Sequence, residues 1–297
     1  MSETLASLRH KINGAGELKS VVRSMKAFAA SSIGQFERSV LALADYHRTL
    51  ELGLAACFRD RVASSEETSH SRTGAKVVNA VVFGSDQGLV GQFNEQLAEF
   101  VVKTLNDLPG DKTLWAVGER VQSRLADAGL KPLGLFVVPT SINAITPLIG
   151  RILVECEAHQ ARRETDDLYL FHNRPRSGAA YEPVSQRLLP LDEAWALELA
   201  HLAWPTKNLP EVIGGHDHTL ETFVREYLFV SLFKACAESL AAENASRLAA
   251  MQRAEKNIDD LTETLNQTFR RLRQTSIDEE LFDVLSGYEC LSTQTQT

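Results

Sequence analysis

From His216 to Ser286 the chain contains neither glycine nor proline. Apolar residues recur through that run at three- and four-residue steps: Leu248, Met251, Ile258, Leu261, Leu265, Phe269 and Leu272. The spacing puts them on one stripe of a helix. A single helix over the run would be about 105 Å long at ~1.5 Å per residue. No globular core is that thick, so the helix must project and find a long partner.

The partner is sought where proline is absent. All nine prolines and all three tryptophans lie between Pro109 and Pro210. Proline breaks helix interiors, so helical arms are expected around a compact centre. The first arm runs from about Thr4 to Phe58. Leu8, Ala15, Val22, Ala29, Phe36, Leu43, Leu50 and Cys57 keep one seven-residue register along it. Leu18 and Met25 serve as companion positions early, and Ile33, Val40 and Leu54 later, a local change of supercoil. Gly14 and Gly16 invite a bend near the start. Fifty residues exceed what a core-facing helix needs, so a coiled coil is expected. Two arms entering and leaving one domain pair along their length only if antiparallel.

Between the arms the period changes. The polar SSEETSHSRTG before Lys76 reads as a linker. KVVNAVVFG, TLWAVG, LGLFVVP and DLYLFHN read as buried strands, with helices at Phe93–Leu105, Glu119–Asp127 and about Ile145–Gln160 between them. This alternation predicts a parallel sheet with helices on its faces. YEPVSQRLLPL, with two prolines, reads as a sheet edge or extended segment. The expected organisation is α/β plus coiled coil: an N-terminal helix at 1–60, an α/β domain at 75–191, a connector at 192–215 and a C-terminal helix at 216–297. The final STQTQT reads as a disordered tail.

The net charge of −8 gives no global footprint for nucleic acid. Cys57, Cys156, Cys236 and Cys290 are far apart, which argues for reduced cytosolic thiols rather than a disulfide or zinc framework. No run of about 18 apolar residues would span a membrane, and the N-terminus has no secretory pattern.

The best candidate for chemistry is GSDQGLVGQFN, Gly84 to Asn94, where a first strand turns into a helix. Phosphate loops occupy such places, but G-x-G-x-x-G and G-K-[ST] are both absent. Gly84, Gly88 and Gly91 read as turn and packing residues, and Asp86 as a cap. Ser85 lacks a nucleophile-elbow context. His216 and His218 flank Asp217 without a third metal ligand, and Glu279 and Glu280 are adjacent and face apart. No catalytic constellation, metal site or cofactor is expected.

Several stretches resemble one family. LKSVVRSMKAFAAS, Leu18 to Ser31, is similar to the "KITKAMxMVAAxK" segment of the rotary ATP synthase gamma subunit. GSDQGLVGQFN resembles its "SDRGLCGGxN". The stretch from Glu243 resembles its C-terminal helix, with Met251, Asn257, Arg273, Gln274, Ile277, Glu280 and Gly287 in place. The resemblance implies a Rossmann-like domain carried on an antiparallel coiled coil. It implies a non-catalytic F1 axle coupling ion transport through a membrane c-ring to ATP synthesis or hydrolysis. Implied partners are alpha and beta subunits, epsilon and the c-ring, with neither nucleic acid nor a direct small-molecule substrate. The implied place is peripheral, on the cytoplasmic face of a bacterial inner membrane.

By the same resemblance Arg23, Met25 and Lys26 face an acidic beta-subunit loop. Arg273, Gln274, Asp278 and Glu280 meet beta-subunit loops, and the tip with Leu281, Val284 and Leu285 runs against an apolar bearing. Read from the residues alone, these groups are equally a solvated face, a seam methionine and a folded-back helix end. Gln87, Val90, Gln92 and Asp278 depart from the family pattern. The departures point to a divergent branch, of which sodium-coupled or "alternate" bacterial F-type ATPases are one example. Two other readings stand beside the axle: an unrelated coiled-coil scaffold, and a nucleotide-dependent α/β enzyme.

Overall fold

The computed structural model describes residues 4–64, 77–160, 167–176, 180–191, 199, 202, 204, 206, 208 and 216–294. The linker expected after Ser64 and most of the connector at 192–215 lie outside the described residues, as do the side chains of 59–64, Gln160, His216, Asp217 and 287–294. The chain divides into two compact units, Ala29–Leu248 and the pair Met1–Phe28 with Ala249–Thr297. Helix α1 spans Leu5–Ser64 and helix α5 spans His216–Gln294, so both helices contribute to both units. At 79 residues α5 is about 118 Å long at ~1.5 Å per residue. Gly14 and Gly16 do not interrupt α1, and Ser292–Gln294, expected in a disordered tail, continue α5.

Unit Ala29–Leu248 is built on a five-stranded sheet: β1 Val77–Phe83, β2 Asp111–Val117, β3 Gly134–Phe136, β4 Asp167–Pro175 and β5 Tyr181–Leu189. The order is β3-β2-β1-β4-β5. The first four strands are parallel, and β5 closes the edge antiparallel to β4. The four strands expected to form a parallel sheet do so, and YEPVSQRLLPL is its edge. The edge place tolerates Pro183, which has no N–H to donate to a ladder. The third strand is shorter than LGLFVVP suggests, because Leu133, Leu135 and Val137 are exposed.

Alternation along β1 serves two cores. Val78, Ala80 and Val82 face α2 (Phe93–Asn106) and α3 (Glu119–Asp127), meeting Leu97, Val101, Leu105, Val121 and Leu125. Val81 and Phe83 belong to a larger cluster with Trp115, with Ile145, Ile149 and Ile152 of α4 (Ile145–Gln160), and with both long helices. Phe36, Leu54 and Phe58 of α1 join Tyr227, Leu232, Ala235 and Leu240 of α5 there. Burying each large side chain is worth about 1.5–3 kcal/mol. Here α1 and α5 are antiparallel: Tyr46 donates to Glu226 at 3.1 Å, and further along α1 Gly53 abuts Phe223, earlier on α5.

The heptad register of α1 holds. Leu8, Ala15, Ala29, Phe36, Leu50 and Cys57 are buried, and Val22 and Leu43 half-buried. Its companions need correction. Leu18 is 60% exposed, whereas Ile12, Lys19, Lys26, Ile33, Val40 and His47 are half-buried and Leu54 buried. The companion series is thus one unbroken seven-residue register. Lys19 and Lys26, two of its early slots, are charged and so escape a purely apolar pattern. On α5, Leu261 is likewise 52% exposed. The half-buried seam residue beside it is Thr262, in series with Glu255, Phe269 and Ser276.

Candidate functional site

In an open α/β sheet, ligands bind beyond the carboxyl ends of the strands where the strand order reverses. In this sheet that place lies between β1 and β4, beside the loop of Gly84–Gln92. Here α5 engages it. Ser239 Oγ donates to the Phe83 carbonyl at 3.0 Å, and Ser246 Oγ donates to the Val90 carbonyl. Ala242 packs with Val90 and Phe93, and Tyr181 lies against them. From β4, His172 Nε2 meets Glu238 of α5 at 2.7 Å, and Asn173 Nδ2 donates to the Phe93 carbonyl at 3.0 Å. Burial holds His172 below its ordinary range, so it meets Glu238 as a neutral donor.

The loop is braced from within. Ser85 is fully buried; its N–H donates to Asn94 Oδ1 at 3.0 Å, and its hydroxyl donates to the Gln87 carbonyl at 2.9 Å. It is a loop staple rather than a nucleophile. Asp86 accepts from the Glu119 N–H at 3.0 Å and the Val138 N–H at 2.9 Å. It therefore caps α3 and ties β1's loop to the segment after β3. A Cβ on Gly84 would fall 2.3 Å from Val121 Cβ, and Gly91 sits at φ 60°. Gly84 is sterically required, whereas Gly91 shares its left-handed backbone with Leu89 at φ 63°; Gly88, expected to be a third packing or turn glycine, has only Arg120 Nη2 nearby, at 3.9 Å. The arrangement docks a helix: the Phe83 and Val90 carbonyls, His172 Nε2 and Asn173 Nδ2 are taken up within the chain, while His172 Nδ1 and Asn173 Oδ1 find no partner among the described residues.

The residues expected to meet partner subunits lie in the other unit. Arg23 Nε and Lys26 Nζ both donate to Glu255, at 2.8 and 2.7 Å, and Lys19 pairs with Asp259. These pairs fix α1 and α5 antiparallel there too. Met25 is half-buried between its charged neighbours. The Arg23 guanidinium first, then Lys26, draws the Glu255 carboxyl down to about 2. Continuing the 19–259 and 23–255 register brings Leu5 level with Arg273. Residues Gln274–Gln294 of α5 thus run past the start of α1 by about 30 Å.

Arg273, Gln274, Asp278 and Glu280 are exposed at or beyond that point. So are Leu281, Val284 and Leu285, at 57%, 69% and 49%, and Phe282, at 67%. Nothing brings these residues next to Arg23 and Lys26; about twenty residues of α5 separate Glu255 from them, or ~30 Å. Glu255 and Asp259 were missed from sequence. The available signal was charge at heptad slots: Lys19, Lys26 and Glu255 occupy seam positions.

Of the other candidates, His218 is exposed near the start of α5. Cys57, Cys156 and Cys236 are buried and form no disulfide, and burial pushes the Cys156 thiol up to about 12. Among the described residues, no helix is long and apolar enough to cross a membrane.

A family model described as ATP synthase matches residues 4–291. The chain is 26% identical over 294 residues to the ATP synthase gamma chain of Hydrogenobaculum sp. (strain Y04AAS1), covering 96% of this chain and 97% of that one. It is 26% identical over 297 residues to the ATP synthase gamma chain of Geotalea daltonii, covering 97% and 99%. Its fold is similar to a rotor chain of the Euglena gracilis mitochondrial ATP synthase, with TM-score 0.64 at 15% identity over 92% of this chain and 98% of that one. A match running through both long helices and the sheet between them is one of whole architecture, and the chain belongs to the ATP synthase gamma-chain family.

Proposed function

We propose that the chain is the rotating shaft of an F-type ATP synthase, coupling ion flow through a membrane c-ring to ATP synthesis or hydrolysis in a head of three alpha and three beta subunits. The observation that carries this is the pairing of α1 with α5 together with the exposed apolar residues Leu281, Phe282, Val284 and Leu285 near the end of α5. A single helix bends, whereas two packed helices resist bending and twisting. One asymmetric chain within a threefold ring shows each beta subunit a different face. Rotation then favours a different nucleotide state at each site, because the contact free energy differs between states.

In this reading the chain is a non-catalytic subunit and the chemistry belongs to the beta subunits. Residues 1–60 and 216–297 form the shaft, and 75–191, joined through 192–215, mount it, with epsilon, on the c-ring. Arg23, Met25 and Lys26 meet an acidic beta-subunit loop. Arg273, Gln274, Asp278 and Glu280 hydrogen-bond further loops, and Leu281, Val284 and Leu285 turn in an apolar sleeve. The exposure of the last three supports this, since large apolar side chains facing water mark interaction surfaces. The complex sits peripherally on the cytoplasmic face of a bacterial inner membrane.

Co-expression with the alpha and beta subunits tests the reading. A stoichiometric complex whose ATP hydrolysis turns this chain is expected. A chain that never enters such a complex would falsify it.

A further inference from the structure

We propose that Glu255 is a standing internal competitor for Arg23 and Lys26, weakening their contact with a partner carboxylate so that it can be made and released on every turn. The proposal rests on the shaft reading and concerns how strongly one contact holds.

The geometry is a layered one. Both Glu255 oxygens are used, Oε1 by Arg23 Nε at 2.8 Å and Oε2 by Lys26 Nζ at 2.7 Å. The Glu255 side chain is 17% exposed, whereas Lys26 is 37% and Arg23 61% exposed. The carboxylate therefore lies beneath its two cations, and the cations face outward. Arg23 is held only through Nε, so among the described residues its two Nη groups have no partner. Held this way, the guanidinium presents its forked end, the geometry that takes a carboxylate by two hydrogen bonds.

Charge decides what that fork is worth. Lys19, Arg23 and Lys26 face Glu255 and Asp259, so the cluster carries one net positive charge rather than three. A carboxylate arriving from outside is attracted by the cations and repelled by the anion behind them. The fork guides the contact while the half-buried carboxylate beneath it limits its depth. A rotating contact needs both properties, since a deep minimum at one angle must be climbed out of once per turn.

The test uses the complex of this chain with its alpha and beta subunits. ATP hydrolysis is followed across a range of sodium chloride for wild type, Glu255→Gln, Glu255→Asp, and Glu255→Gln combined with Arg23→Gln and Lys26→Gln. Unmasking the cations in Glu255→Gln is expected to slow hydrolysis at low salt by about two- to fivefold, the range an exposed ion pair commands, and added salt should relieve it. Glu255→Asp should track wild type, and the triple variant should lose both the slowing and the salt relief. Glu255→Gln rates equal to or above wild type at every salt concentration overturn the proposal. So does slowing that persists in the triple variant, which would make Glu255 only a pin for helix register. A wild-type chain that forms no complex overturns the shaft reading and this proposal with it; that failure shows before any variant is compared.

Discussion

Single side chains tie the sheet's loops together, and Asp86 is the clearest case. Its two oxygens accept from the N–H groups of Glu119 and Val138, so one carboxylate caps α3 and holds the segment after β3. Asp86→Ala leaves both donors without that partner and should cost about 1–3 kcal/mol. Urea unfolding followed by near-ultraviolet circular dichroism should show a lower midpoint with an unchanged slope. An unchanged midpoint would mean that water replaces the carboxylate at no cost. Gly84 sets a steric limit in the same loop. A methyl there would lie 2.3 Å from the Cβ of β-branched Val121 and 2.9 Å from Asn94 Oδ1, which is itself held by the Ser85 N–H. Gly84→Ala should therefore destabilise by about 1–3 kcal/mol through overpacking, and Gly88→Ala, which meets only Arg120 Nη2 at an ordinary 3.9 Å, should not.

Helices and strands were legible in the sequence to different depths. Periodicity placed α2, α3 and α4 almost to the residue, because a buried face repeats at the helical period and Gly118 marks the entry to α3. The heptad register of α1 was legible for the same reason. Apolar character alone assigns Leu18 and Leu261 to the seam. In the structure, Lys19, Lys26, Glu255 and Thr262 fill seam slots and those two leucines face outward. Lys19, Lys26 and Glu255 are satisfied by charges on the other helix, and Thr262 by the Ile258 carbonyl of its own; single-residue patterns do not reveal the cross-helix pairings. The candidate site was half legible for this reason: Arg23 and Lys26 could be named, but not the Glu255 that holds them. Leu261→Ala should accordingly change stability by less than about 0.5 kcal/mol, while Met251→Ala, at 2% exposure, should cost ~2–5 kcal/mol. Leu261→Pro should break α5 despite the exposed side chain, because it removes a backbone hydrogen bond. Thermal melts of the three variants separate these effects. The Glu255 pairs add a pH signature. Its carboxyl is held at about 2, below the ordinary carboxylate value. The stability it contributes is present in full above about 4.5 and is lost as pH falls toward 2. The melting difference between wild type and Glu255→Gln should be largest at neutral pH and close over that window. A difference that holds constant to pH 2 would mean the pairs do not form in solution.

At the scale of the molecule, two needs fall on different parts of one chain. The sheet unit needs α1 and α5 as part of its core: Leu54, Phe58, Leu232 and Leu240 are buried in the same cluster as Trp115 and Ile149. The end of α5 contributes nothing to that core, since Gln274–Thr297 belongs wholly to the other unit. Removing Gln274–Thr297 should therefore leave the melting of the sheet unit unchanged, while taking away Asp278, Glu280, Leu281, Val284 and Leu285. If those residues are the bearing and the beta-subunit contacts, the truncated chain should still enter the complex less tightly, and its ATP-driven rotation should lose torque. Single-molecule rotation of the assembled complex measures that loss, and calorimetry of the isolated chain measures the sheet unit. Full torque from the truncated shaft would move the working contacts back toward Arg23, Met25 and Lys26. A sheet unit that unfolds on truncation would instead mean that the two long helices stabilise it from well beyond its own core.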